Sequence, residues 1–153
     1  MSQRNVYSPA CETMAREEIE QLQIERLQVT LNRAYANVAH YRSAFDAAKV
    51  DLDQVVDLET LAELPLTTRD DLRQSYPYGM FAVPLKDILR VHWTAGAEGP
   101  PIVVGYTQND LRHWTECTAR LLARAGITEH DVVQIALDYG LYAGGFGFQQ
   151  GAE

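Results

Sequence analysis

The chain has 153 residues, 46% hydrophobic and 22% charged, with a formal net charge of −8. That composition sustains a core and excludes global disorder, and the length suits one ordinary domain rather than two large ones. The acidic balance argues against nucleic acid or anionic membrane as general partners, because both need a cationic field. No window approaches the roughly 18 consecutive apolar residues of a membrane span, and the N-terminus has no apolar signal-peptide stretch. Two cysteines, Cys11 and Cys117, cannot build a disulfide framework; reduced thiols in a cytoplasmic protein are the simple reading.

In chain order, the first element is helical. From Glu12 to about Val38 the apolar residues Ile24, Leu27, Leu31, Tyr35 and Val38 recur at three- and four-residue steps. A second helix is predicted over Val38 to Ala48, with Tyr41 and Phe45 on one face. A looser stretch with short helical turns carries Leu58, Leu61 and Leu64 before Pro65. Thr67 or Thr68 then caps a short helix with Asp70 and Asp71 in its first turn, where the helix dipole favours negative charge. That helix ends near Tyr76, because Pro77 disfavours helical geometry before it. Residues Tyr78 to Pro84 read as a loop with aromatics available for burial.

After Pro84 the period changes. Ile88 to Trp93 and Ile102 to Tyr106 read as two strands of a hairpin joined by a Gly-containing connection. Thr107 caps a helix with Asp110 three residues on; Leu111, Trp114, Thr118, Leu121, Leu122 and Ala125 line its apolar face, and Gly126 ends it. Asp131 to Leu137 is an apolar, β-branched run that predicts a buried strand. Residues Tyr139 to Glu153, with glycines at 140, 144, 145, 147 and 151, read as a compliant tail.

Three ordered segments carry a resemblance: 64–84 (LPLTTRDDLRQSYPYGMFAVP), 90–107 (RVHWTAGAEGPPIVVGYT) and 139–153 (YGLYAGGFGFQQGAE). Together they resemble the N-terminal part of phenylacetate–coenzyme A ligases, within the adenylate-forming (AMP-binding) superfamily. The resemblance runs from about Tyr7 to Glu153. It implies an α/β fold in which an N-terminal helical region, 1–84, leads into the first strands and helix of an adenylate-forming N-domain, 85–153. The implied reaction has two steps: ATP and an aryl carboxylate give an acyl-adenylate and pyrophosphate, and the coenzyme A thiol then attacks the acyl carbon. Magnesium accompanies the ATP. In a full member, the adenine pocket, the ribose-binding carboxylate and the hinged C-terminal lid lie beyond the stretch matched here.

The family's phosphate loop reads Ser-Ser-Gly-Thr-Thr-Gly-Lys-Pro; this sequence has Thr94, Ala95, Gly96, Ala97, Glu98, Gly99, Pro100 and Pro101 in that register. Backbone N–H groups, hydroxyls and a lysine would cradle phosphates there. Thr94, Gly96 and Gly99 keep part of that equipment, whereas the lysine is lost and Glu98 adds a carboxylate. Two like charges about 4 Å apart repel by roughly 4 kcal/mol at an effective dielectric near 20. No ATP, magnesium or coenzyme A is therefore expected on this chain by itself, and no catalytic residue is assigned. Leu137, Tyr139, Tyr142 and Phe146 match the segment that lines the family's aryl-acid pocket, with glycines that let a flat ring approach the backbone. An aryl carboxylic acid is the candidate ligand.

The other candidates are structural. His92 is expected to make a structural hydrogen bond. His113 and Cys117 supply two potential metal ligands, too few for a zinc site. Asp51, Asp53, Asp57 and Glu59 read as a solvated face without calcium-loop spacing. The functional expectation is a phenylacetate–coenzyme A ligase-like protein, inactive alone. The alternative is a non-enzymatic binding or oligomerisation module of the same descent. A homodimer is expected, covering the apolar Val132, Val133, Ile135 and Leu137.

Overall fold

The computed structural model describes residues 6–57, 59–94, 99–141 and 143–153. Six helices are described: α1 (Pro9–Glu12), α2 (Arg16–Asn37), α3 (Ala39–Ala48), α4 (Arg69–Gln74), α5 (Gln108–Arg124) and α6 (Gly144–Ala152). Two strands, β1 (Arg90–Trp93) and β2 (Val103–Tyr106), form a two-stranded sheet. Short 3-10 turns occupy Leu52–Gln54, Thr60–Glu63 and Leu85–Asp87. The chain folds as two compact units, one of Ala15–Leu85 with Gly96–Val103, the other of Met1–Met14, Lys86–Ala95 and Val104–Glu153.

The first unit is helical. Its core is Leu31 of α2, Phe45 of α3 and Val55, with Leu27, Tyr35, Tyr41, Val50, Leu52 and Leu64 packed around them. The four-residue spacing of Leu27, Leu31 and Tyr35 sets them on one stripe of α2, as the sequence predicts. The predicted single helix from Glu12 instead breaks at residues 13–15. Local capping explains the break. The Thr13 amide and hydroxyl both donate to the Pro9 carbonyl, closing α1, and the Glu18 carboxylate accepts from the Ala15 amide, opening α2. Helix α3 ends on Lys49 in the left-handed region, φ 55°. Thr68, not Thr67, caps α4, and α4 ends two residues before Tyr76, with a cis bond between Tyr76 and Pro77.

The second unit holds the sheet, α5 and α6. Leu89 N–H donates to the Tyr106 carbonyl, joining the start of β1 to the end of β2, as a hairpin requires. Thr107 caps α5, as predicted. Its C-terminal end is a Schellman turn: Ile127 N–H reaches the Leu122 carbonyl, Gly126 N–H reaches the Ala123 carbonyl, and Gly126 sits at φ 98°. Leu111, Thr118 and Ala119 are buried on α5, while Leu121, expected on the apolar face, is exposed.

Two expectations for this unit are corrected. Residues 139–153 are not a loose tail, because 144–152 form α6 packed on α5. A Cβ on Gly147 would lie 2.4 Å from the Trp114 indole, and one on Gly151 would lie 2.6 Å from Thr118. The glycines thus serve close helix–helix packing, which outweighs their poor helix propensity. The run Asp131–Leu137 is not a buried strand: it pairs with no described segment, and Val132 is 99% exposed. Its composition suits a sheet interior, and the two-stranded sheet does not extend to it.

A shared capping device recurs in both units. Thr68, Thr107 and Thr128 each donate both backbone N–H and hydroxyl to an aspartate three residues on: Asp71, Asp110 and Asp131. The Thr68 hydroxyl, then its amide, hold the Asp71 carboxyl below its ordinary 3.8. The Thr128 amide, then its hydroxyl, do the same for Asp131, and the Thr60 amide leads for Asp57. A carboxyl whose folded pKa is depressed stabilises the fold above its unfolded pKa and loses that contribution as pH falls through the folded pKa. The urea midpoint should therefore hold from neutral pH down to about 5 and fall below about 4. Asp71→Asn should shrink that fall; an unchanged acid limb in the variant would refute the assignment.

Candidate functional site

The predicted phosphate-loop residues are placed singly. Thr94 directly follows β1, and Gly99 adopts φ 74°. Gly96 and Glu98 lie outside the described residues, as does Tyr142 of the predicted aryl-acid pocket. The other three pocket residues come together at the N-terminal end of α6. The Tyr139 and Phe146 rings meet edge to face at 5.2 Å, and the Leu137 side chain lies against Gly145. Leu137 and Tyr139 are both exposed.

Phe146 belongs to a larger aromatic cluster centred on His92. The imidazole is 3% exposed, with Tyr106, Trp114 and Phe146 ring centroids at 5.7, 6.1 and 5.8 Å. Tyr106 and Trp114 stack at 5.2 Å. His92 Nδ1 lies 2.9 Å from the Leu141 carbonyl oxygen, which also accepts from the Trp93 amide. A carbonyl only accepts, so Nδ1 carries the proton in this contact. His92 Nε2 is buried without a partner among the described residues. The expected structural hydrogen bond of His92 is present; it ties β1 to the segment entering α6.

Arg90 is the contributor that the sequence reading misses. Its guanidinium sits 4.6 Å from the Phe146 ring centroid, and Nη1 donates to Gln150. The signal is the period of two along β1: Arg90 and His92 turn to the packed side, while Val91 and Trp93 are exposed. The flat ring that does approach a glycine backbone is Trp114, at Gly147. An open groove of about 720 Å³ in the same unit is lined by Tyr7, Leu122, Ile127, Thr128, Glu129 and Ala152, none of them a predicted site residue. No group of three or more His, Cys, Asp or Glu suited to a metal ion occurs among the described residues. The two cysteines are free and exposed. No described helix is long and apolar enough to cross a membrane.

No family model matches the chain. Among curated proteins it is 46% identical over 142 residues to the phenylacetate-coenzyme A ligase of Escherichia coli, across 93% of this chain and 32% of that protein. It is 44% identical over 148 residues to the phenylacetate-coenzyme A ligase of Thermus thermophilus, across 97% and 33%. The chain matches the N-terminal portion of the phenylacetate–coenzyme A ligase family. Its fold agrees: a crystal structure of 2-hydroxyisobutyryl-CoA ligase, in complex with 2-HIB-AMP and CoA, aligns over 99% of this chain with a TM-score of 0.88 and 30% identity. The postadenylation state of that ligase aligns with a TM-score of 0.86. The chain spans about a third of the length of these relatives.

Proposed function

We propose that this chain supplies the N-terminal segment of an acyl–coenzyme A ligase of the phenylacetate type, and that alone it does not adenylate an acid. The identity of 44–46% to curated phenylacetate-coenzyme A ligases, over nearly the whole chain, carries the reading. The family reaction splits ATP into pyrophosphate and an acyl-adenylate, then transfers the acyl group to a thiol and releases AMP.

The residues at 94–101 do not fit a magnesium–triphosphate group. Pro100 stands where the family's lysine would offset charge, Glu98 adds a negative charge, and Ala95 and Ala97 donate nothing from their side chains. Glycines and one hydroxyl remain, and no cationic side chain within 94–101 offsets the phosphate charge. With ATP, magnesium and phenylacetate, pyrophosphate release by this chain should match a boiled control. Clear turnover above that control would overturn the reading.

A second reading, a non-enzymatic module that binds an aryl acid, is favoured by the Arg90 guanidinium over Phe146, whose ring meets the exposed Tyr139. A cation next to exposed aromatic surface is the pairing that an aryl carboxylate needs. Under this reading phenylacetate raises the melting temperature and its neutral alcohol analogue does not. A flat response to both at millimolar concentration would discard it.

A further inference from the structure

Cys11 and Cys117 stand far apart in the sequence, yet both belong to the unit that holds the sheet. Cys11 sits in α1 and Cys117 in α5, and both thiols are free and exposed. The two helices border one open groove of about 460 Å³. Glu12 and Thr13 line it from the end of α1, and Cys117, Arg120 and Arg124 line it from α5. Steps of three and four residues set those three on one face of α5. Cys11 directly precedes Glu12.

Arg120 is the cation that both sulfurs act on. Its Nη2 donates to the Glu116 carboxylate, while its Nε is buried without a partner among the described residues. The guanidinium is held above its ordinary range first by that Glu116 hydrogen bond. Against a penalty from burial, the Glu116 charge and the Cys11 and Cys117 sulfurs hold it in the same direction. Such an influence falls off with distance, so both sulfurs lie near this one guanidinium. A thiolate, not a thiol, attacks an oxidant, and a neighbouring arginine is the setting in which reactive cysteines are found.

Helix α1 is free to follow such chemistry. It has four residues, none of them buried, and it is closed by its own groups. The Thr13 hydroxyl donates to the Pro9 carbonyl, and the Glu12 carboxylate accepts from the Tyr7 and Ser8 amides. Without a buried anchor, α1 loses few contacts in moving to the Cα separation of roughly 4.4–6.8 Å that a disulfide needs.

We propose that Cys11 and Cys117 form a redox pair that closes a reversible disulfide between α1 and α5 when the protein meets a hydroperoxide. The Cys117 thiolate attacks the terminal oxygen of the peroxide. The O–O bond breaks, an S–O bond forms, and an alcohol or water leaves. The Cys11 sulfur then attacks the Cys117 sulfur. The S–S bond forms, the S–O bond breaks, and the hydroxyl leaves as water with the Cys11 proton. Two thiols are oxidised by two electrons and one peroxide is reduced. In reducing surroundings such bonds are transient and sensing rather than structural. Neither cysteine falls in the register of the family's phosphate loop or aryl-acid pocket, so the pair stands apart from the reading above.

The test treats the dilute, reduced 153-residue chain with an equimolar amount of hydrogen peroxide. Both thiols should disappear together, with no copies covalently linked. A digest should contain one peptide pair joining Cys11 to Cys117, and dithiothreitol should separate it. Amides of residues 8–13 should exchange about tenfold more slowly in the oxidised chain, because α1 is then tied to α5. In Cys11→Ser the reaction should stop at the Cys117 sulfenic acid, which dimedone traps. Arg120→Gln should slow bond formation by about threefold or more, and Arg120→Lys, which keeps the charge, should restore most of the rate. Three results would each overturn the proposal. One is thiol loss into disulfides between copies. Another is oxidation of one cysteine to its sulfinic acid while the other stays reduced. The third is a chain that keeps both thiols under peroxide. An Arg120→Gln chain that closes the bond as fast as the parent would overturn the role given to the guanidinium.

Discussion

Replacing Gly147 with alanine should destabilise the sheet-containing unit by about 1–3 kcal/mol, the range for overpacked interiors. Helix propensity alone gives the opposite sign, since alanine exceeds glycine by about 0.8–1.0 kcal/mol inside a helix. The reversal comes from the indole of Trp114, which lies 2.4 Å from where the methyl would sit, within a buried stretch of α6. Real Cβ atoms do not reach that distance, so either the helix or the ring must move. Gly151→Ala should act in the same direction against Thr118. The two tryptophans, Trp93 and Trp114, both belong to this unit, so indole fluorescence in urea reads its unfolding directly. A Gly147→Ala protein as stable as the parent would mean that α6 does not seat on α5 as described. In the Trp114→Phe background the penalty should shrink, with a coupling of about 0.5–3 kcal/mol.

Phe45→Ala should cost the helical unit about 3–5 kcal/mol. Phe45 is 3% exposed and sits among Leu31 and Val55, with Tyr41 at 6.0 Å. Truncation removes the ring's transfer free energy and leaves a cavity that α2 and α3 cannot close without losing their other contacts. This unit contains no tryptophan, so circular dichroism at the helix band is the readout. Val29→Ala on the exposed side of α2, at 58% exposure, serves as the control and should stay within about 0.5 kcal/mol. Equal midpoints for Phe45→Ala and Val29→Ala would remove Phe45 from the core.

The candidate site is legible unevenly. The Phe146 and Tyr139 rings meet, and only a few residues separate them in the chain. Arg90 and Trp114 complete the cluster from 56 and 32 residues away in the chain, and no local pattern links them to Phe146. Pairing across such separations is decided by how the sheet, α5 and α6 stack. In the predicted register of the phosphate loop, Thr94 directly follows β1 and Gly99 takes a positive φ of 74°.

What the sequence determines by itself is local. The four-residue stripe of Leu27, Leu31 and Tyr35, the Thr-x-x-Asp caps at Thr68 and Thr107, and the stop at Gly126 all act within about one helical turn. They set the body of α2, the cap of α4 and both ends of α5, because a helix satisfies its own backbone and needs only its first and last turns closed. Tertiary structure decides the rest. Helix α6 exists where glycine propensity opposes a helix, because Trp114 and Thr118 of α5 accept its bare backbone face. Residues 131–137 have the composition of a strand and are not one, because a strand's hydrogen bonds come from its neighbours and this run pairs with none among the described residues. A helix carries its partners within its own sequence; a strand borrows them, and only the assembled fold says whether they are there.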